Sequence, residues 1–173
     1  MDASSEFKDS LPTTPEMLMA FLDKLEISYM IHSHPPFHTV EDSKAHRGEL
    51  VGVHIKNLYL RDRKKQNFLL ITEEDQKIDL KNLNQKIGCD RLSFGSAERL
   101  FEMLGVRPGA VSPFTLINDP NRRVHVVLDK ALQTNKQIYA HPLVNDVTLG
   151  IDGPSLQRFF AHIGHHLQWI DFP

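Results

Sequence analysis

Between Val51 and Thr72 the chain carries two β-like runs separated by a polar turn, Asp62-Arg63-Lys64-Lys65-Gln66. In the first run Val51, Val53 and Ile55 alternate with other residues. The second run, Phe68-Leu69-Leu70-Ile71, is apolar at every position. A strand of that kind has no face to give to water, so it must lie inside a sheet covered on both sides. The chain has the material for this. Its 173 residues fit one domain able to bury roughly 70% of the unfolded surface.

The rest of the pattern supplies the cover. Thr14 and Pro15 read as the N-cap and first position of a helix, with Leu18, Phe21, Leu22 and Leu25 on one face. Tyr29 to Ser33 reads as a strand and Val40 to Arg47 as a short helix. Lys81 to Ile87 suggests another helix, and Ser96 caps one that Gly105 ends. Strands are expected at Phe114–Ile117, Val124–Leu128, Ile138–Ala140, Val147–Ile151 and Gln168–Asp171, with a helix through Leu156, Phe159, Phe160 and Ile163 that Gly164 stops. Helices and strands mix irregularly with hairpin-like returns. The fold class is therefore α+β, a single domain with a mixed, mainly antiparallel sheet flanked by helices. Residues 1–13 read as a flexible leader and 14–173 as the domain.

Bulk properties narrow the function. A net charge of -2 means that any nucleic-acid contact must come from a local basic patch. The single cysteine, Cys89, rules out an internal disulfide and fits a reducing compartment. The polar N-terminus and the lack of a long apolar run point to a cytoplasmic protein with no membrane partner. His32, His34, His162, His165 and His166 lack the cysteines or ordered carboxylates of a zinc site, so no metal or other cofactor is expected.

Three segments can carry chemistry. In VHIKNLYLRD the apolar phase changes from odd to even positions at Lys56-Asn57. Either a β-bulge re-aims the side chains, or Lys56 shares a face with Leu58 and Leu60. The bland alternative is an exposed lysine with its stem on apolar surface. The stretch Gly109-Ala110-Val111-Ser112-Pro113 has small residues that let a backbone approach a ligand, and successive N–H groups can cradle an anion. It also reads as a plain connector. His141, before Pro142, can position water or donate to a carbonyl, or simply occupy a surface turn. Basic residues gather in the hairpin turn (Arg63, Lys64, Lys65) and at Arg91.

Taken together and in this order, these segments resemble the editing deacylases related to the insertion domain of bacterial prolyl-tRNA synthetase. The match runs through PPFHTVEDS, KNLYLRD, KIDLKNL, RLSFGSAERL, GAVSPFTLIND and HPLVNDVT, and Lys-Asn favours the alanyl-tRNA(Pro) branch. The resemblance implies an editing-domain fold and hydrolysis of the ester in mischarged alanyl-tRNA(Pro). It implies that Lys56, Asn57 and Pro113 bind the aminoacylated end. The backbone amides of Gly109, Ala110, Val111 and Ser112 would hold the carbonyl oxygen, and His141 would orient substrate or water. Arg91, with Arg63, Lys64 and Lys65, would contact tRNA. Prolyl-tRNA synthetase or an elongation factor are further candidate partners. Two other readings stay open: a deacylase of the same fold for tRNA carrying cysteine, serine or threonine, and a non-catalytic module that binds tRNA or a synthetase.

If the hairpin lysines and arginine touch phosphates, neutralising Arg63, Lys64 and Lys65 together should weaken tRNA binding. It should also flatten the slope of log affinity against log salt, by up to ~0.9 for each phosphate that is no longer neutralised. A titration series from low to physiological salt measures this, and an unchanged slope would return the three residues to a solvated turn.

Overall fold

The computed structural model describes residues 1–37, 39–46, 50–134 and 137–172. Its centre is the hairpin of β2 (Val53–Asp62) and β3 (Asn67–Glu73). The turn between them closes through the Asp62 side chain, whose Oδ1 accepts from the Gln66 amide at 2.8 Å. Lys65 sits in the left-handed region at φ 65°. Around the hairpin lie β1 (Met30–Ser33), β4 (Leu92–Phe94), β5 (Val124–Asp129), β6 (Ile138–Ala140), β7 (Val147–Ile151) and β8 (Leu167–Ile170). The strand order is β1-β7-β6-β2-β3-β5-β8, with β4 added to β2. Among the described residues four pairings are antiparallel (β1/β7, β6/β7, β2/β3, β2/β4) and three are parallel (β2/β6, β3/β5, β5/β8). The sheet is thus mixed, with the antiparallel pairs in a narrow majority.

The all-apolar run behaves as its composition demands. Leu69 and Ile71 of β3 enter one core, with Val126 and Leu128 of β5, Leu18, Leu104, Phe114 and Phe159. Phe68 and Leu70 enter a second core on the other side, with Leu60, Val127, Leu83, Leu92 and Ile170. Each such side chain contributes about 1.5–3 kcal/mol by leaving water. The larger core is covered by helices α1 (Pro15–Lys24), α4 (Ala97–Leu104) and α5 (Gly153–Ile163), and the smaller by α3 (Leu80–Ile87). Helix α2 (Val40–His46) lies near the strand ends. Capping follows the sequence signals. Thr14, Asp79, Ser96 and Asp152 accept from the first-turn amides of α1, α3, α4 and α5, and Gly105 and Gly164 end α4 and α5 in the left-handed conformation.

One open choice is settled and two expectations change. The phase switch at Lys56-Asn57 is not a bulge, because β2 and β3 keep one continuous register from Ile55↔Glu73 to Arg61↔Asn67. Val53, Ile55 and Tyr59 belong to the large core and Leu58 and Leu60 to the small one, so Lys56 shares a face with Leu58 and Leu60. Residues Phe114–Ile117 form a 3-10 helix (Pro113–Asn118), not a strand. Ser112 caps it, its Oγ accepting from the Phe114 amide, and its carbonyl takes bonds from the amide and hydroxyl of Thr115. Residues 1–13 are not loose either. Ala3 is buried in the large core, its carbonyl accepts from Asn145 N at 2.8 Å, and Ser5 bonds to the Asp146 carboxylate through both its amide and its hydroxyl.

Asp119 joins the 3-10 helix to β5. Its buried carboxylate accepts from the amides of Arg123 and Val124, at 3.0 and 2.8 Å, and from His165 Nε2 at 2.9 Å. Asp119→Ala leaves these donors without a partner and should lower stability by about 3–5 kcal/mol. Asp171→Ala, which removes only an exposed pair with Lys130, should stay within about 0.5 kcal/mol. Urea unfolding midpoints compare the two.

Candidate functional site

The site arises from a gap in the sheet. β6 pairs with β2 only at Val53 and His54. On the same edge β4 takes over from Leu60. Between them Ile55 to Leu58 have no described strand on that side, and a cleft of about 310 Å³ opens there. The polar interruptions of both faces, Lys56 and Asn57, therefore stand side by side at the opening. Opposite them are Gly109 and Val111, and His141 just past β6; Phe37, Val40 and Ser43 close the end beside α2.

Each side chain is held for a physical reason. Lys56 is half-buried, and its ammonium donates to the Gln76 carbonyl. A lysine has three donors, so two directions remain for a ligand. Asn57 Oδ1 is buried with no hydrogen-bond partner among the described residues, an acceptor that a ligand can satisfy. Gly109 has φ 97°, open to glycine but strained for other residues, and a Cβ there would approach Asn145 Nδ2 at 3.3 Å.

His141 is strongly perturbed. Burial pushes its imidazolium down from the ordinary 6.5 to about 4; the hydrogen bond to Val147 opposes this shift and nearby His34 adds to it. Its Nδ1 lies 2.8 Å from the Val147 carbonyl. A carbonyl only accepts, so in the neutral ring Nδ1 carries the proton and Nε2 keeps its lone pair. Since Nδ1 is tied to a carbonyl and not to a carboxylate, no serine-hydrolase triad is built on it. Around it His34 stacks on Phe37 at 4.1 Å and bonds to Thr148 Oγ1 at 2.7 Å, while His54 stacks on Tyr139 at 4.6 Å.

The structure thus brings together Lys56, Asn57, Gly109, Val111 and His141. It sets apart the other residues expected at the site. Ala110, Ser112 and Pro113 are buried behind the cleft. The Ala110 amide already donates to the Arg107 carbonyl, and Ser112 has no exposed surface. A backbone cradle is therefore confined to the amides of Gly109 and Val111, which have no acceptor among the described residues. Arg63, Lys64, Lys65 and Arg91 are exposed at the far end of β2, seven residues or roughly 23 Å from Lys56. Phe37, Tyr139 and Thr148 line the cleft without having been singled out from the sequence. The acidic turn Glu73-Glu74-Asp75 beside the cleft groups three carboxylates, but Asp75 pairs with Lys44 at 2.5 Å and Glu73 accepts from the Asp75 amide.

The family described as the aminoacyl-tRNA editing domain matches residues 34–159, a span that includes every residue of the cleft named here. The chain belongs to that family. It is 38% identical over 157 residues to the prolyl-tRNA editing protein ProX of Acetoanaerobium sticklandii, covering 90% of this chain and 96% of the relative. It is 36% identical over 150 residues to the prolyl-tRNA synthetase associated domain-containing protein 1 of Danio rerio, covering 86% of this chain and 82% of the relative. Among solved structures, one described as a candidate trans-editing enzyme for prolyl-tRNA synthetase superposes with a TM-score of 0.66 at 19% identity, over 91% of this chain and 95% of that one. That likeness establishes the mixed-sheet editing-domain fold. No described helix of this editing domain is long and apolar enough to cross a membrane.

The depressed His141 titration has a sign. The folded ring takes up its proton near 4 and the unfolded ring near 6.5, so between those values the unfolded state binds more protons. Stability is then fully present above about pH 6.5 and falls as pH drops toward 4. Ring NMR of His141 should show a midpoint near 4, and His141→Gln should flatten that stretch of the stability profile. A midpoint at 6.5 would mean that the ring is solvated and its Nε2 is not held as an acceptor.

Proposed function

We propose that this protein is a trans-editing hydrolase that cleaves the ester of mischarged alanyl-tRNA(Pro), releasing alanine and intact tRNA. One observation carries the reading. Lys56, Asn57, Gly109 and His141, distant in sequence, line one cleft in a chain 38% identical to a prolyl-tRNA editing protein.

The chemistry needs a water nucleophile, a place for the developing oxyanion and a grip on the terminal adenosine. Water attacks the ester carbonyl carbon, the carbonyl oxygen takes the charge, and the ribose oxygen leaves with a proton. The amides of Gly109 and Val111 face the carbonyl oxygen in this reading, an arrangement worth about 2.7–4 kcal/mol for each donor. The Lys56 ammonium and the Asn57 amide hold the terminal nucleotide and the aminoacyl group. His141 Nε2, neutral at working pH, accepts from the substrate ammonium or from the attacking water. With no nucleophilic triad on His141, positioning carries the catalysis, and a ribose hydroxyl of the tRNA assists the water. The exposed Arg63, Lys64, Lys65 and Arg91 face the tRNA phosphates, at a reach the single-stranded 3′ end spans.

Selectivity against proline follows from size. Phe37 and Val111 narrow the cleft, and a tight wall rejects a larger group more sharply than the ~1–3 kcal/mol by which a pocket tells one methylene from none. Side-by-side hydrolysis of alanyl- and prolyl-tRNA(Pro) tests the whole reading. Wild type should cleave the first and spare the second. Lys56→Ala should lose at least ~100-fold in kcat/KM while keeping its fold. Val111→Ala should gain prolyl-tRNA hydrolysis. Tight tRNA binding without turnover would overturn the proposal in favour of a non-catalytic module, and preferential cleavage of cysteinyl-, seryl- or threonyl-tRNA would redirect it.

A further inference from the structure

The segment from Pro142 to Asp146 carries no regular secondary structure, yet Pro142, Leu143, Val144 and Asn145 are all buried. A buried irregular segment must find partners for its backbone groups. Asn145 finds them in two directions. Its amide donates to Ala3 O at 2.8 Å, and its carbonyl accepts from Phe37 N at 3.1 Å. Its side chain returns to the same residue, Nδ2 donating to Phe37 O at 2.9 Å. The neighbouring Asp146 fastens the N-terminal segment, accepting from Ser5 N at 3.0 Å and from Ser5 Oγ at 2.5 Å. Asp146 O also accepts from His34 N at 3.0 Å.

This brace ends at the cleft wall. A Cβ placed on Gly109 would lie 3.3 Å from Asn145 Nδ2, 3.5 Å from Phe37 O and 3.9 Å from Ala3 Cβ. Phe37 and Gly109, two adjoining parts of the lining, therefore rest on one fully buried side chain and on the N-terminal segment behind it. None of Asn145, Asp146, Ala3 or Ser5 lines the cleft. They set where its walls stand without touching what it holds.

We propose that Asn145, backed by the N-terminal segment through Ala3 and Ser5, fixes the separation of Phe37 from Gly109 and is a specificity-determining positioning residue for amino-acid size. The inference rests on the deacylase reading above. If the brace loosens, Phe37 and the Gly109 loop can part, and the larger proline ring can enter.

Two full-length variants test it. Asn145→Asp keeps the shape but sets a carboxylate oxygen against Phe37 O. Ser5→Pro removes both bonds to Asp146 at a half-buried position, and proline is tolerated at the first residue of the Ser5–Ser10 3-10 helix. The readout is the ratio of kcat/KM for alanyl- over prolyl-tRNA(Pro), a ratio that a mere loss of folded protein leaves unchanged. Both variants should lower it at least about tenfold, in keeping with the cost of small displacements at a reacting centre. If Asn145→Asp does not fold, Ser5→Pro decides alone. A wild-type ratio, whether the two rates are unchanged or fall together, overturns the proposal. Wild-type protein inert toward alanyl-tRNA(Pro) in the same assay would instead overturn the deacylase reading.

Discussion

Everything at the cleft depends on an interruption in hydrogen bonding along one edge of β2. Its other edge is zipped to β3 without a break from Ile55 to Arg61. That continuous ladder, with apolar side chains driven into a core on each side, makes β2 rigid. The other edge, which no described strand covers from Ile55 to Leu58, can then stay open without β2 losing its shape. Rigidity on one side and vacancy on the other let a strand present a lysine and an asparagine at fixed positions. A site on a strand held this way is more sharply defined than one on a loop.

The sequence disclosed the cores and the caps more clearly than the cleft. Phe68 to Ile71 announced a doubly covered strand, and Ser96 and Gly105 marked the ends of a helix, because burial and capping act through near neighbours. The polar pair Lys56-Asn57 also stood out, but its cause did not. A change of apolar phase looks the same whether it comes from a bulge or from two unlike faces, and only the β2–β3 register separates them. Phe114 to Ile117 misled for a similar reason. Their mostly apolar side chains report burial and not backbone shape, and the shape is set by Ser112 capping the next turn. The N-terminal segment was read as loose because its polar residues offer no apolar periodicity; its anchors, Asn145 and Asp146, lie about 140 residues away in sequence. Within the candidate site, residues with chemical character were legible and those that shape the space, Phe37, Tyr139 and Thr148, were not.

The two sides of the cleft also differ electrically. Lys56 supplies positive charge on the strand side. Opposite it His141 is uncharged at neutral pH, because desolvation holds its imidazolium down to about 4 while its Nδ1 is tied to a carbonyl. A ligand with a negative end and a cationic end is thereby given a direction, since its cation meets an unprotonated nitrogen where an imidazolium would repel it. The orientation comes from burial as much as from the residue types, which is why ten histidines in the sequence did not by themselves mark the one that matters.

The parallel register of β3, β5 and β8 has a consequence for how the protein is made. β8, Leu167–Ile170, covers the edge of β5, while β5 itself joins a strand more than fifty residues earlier in the chain. During synthesis the hairpin and its helices can assemble while β5 still shows the ribosome's surroundings a bare row of amides and carbonyls flanked by Val126, Val127 and Leu128. Pairings this distant in sequence form slowly, and an uncovered apolar edge is a template for foreign strands. The interval before β8 emerges is thus when the nascent chain is most exposed to aggregation, and it is when a chaperone would matter most to it.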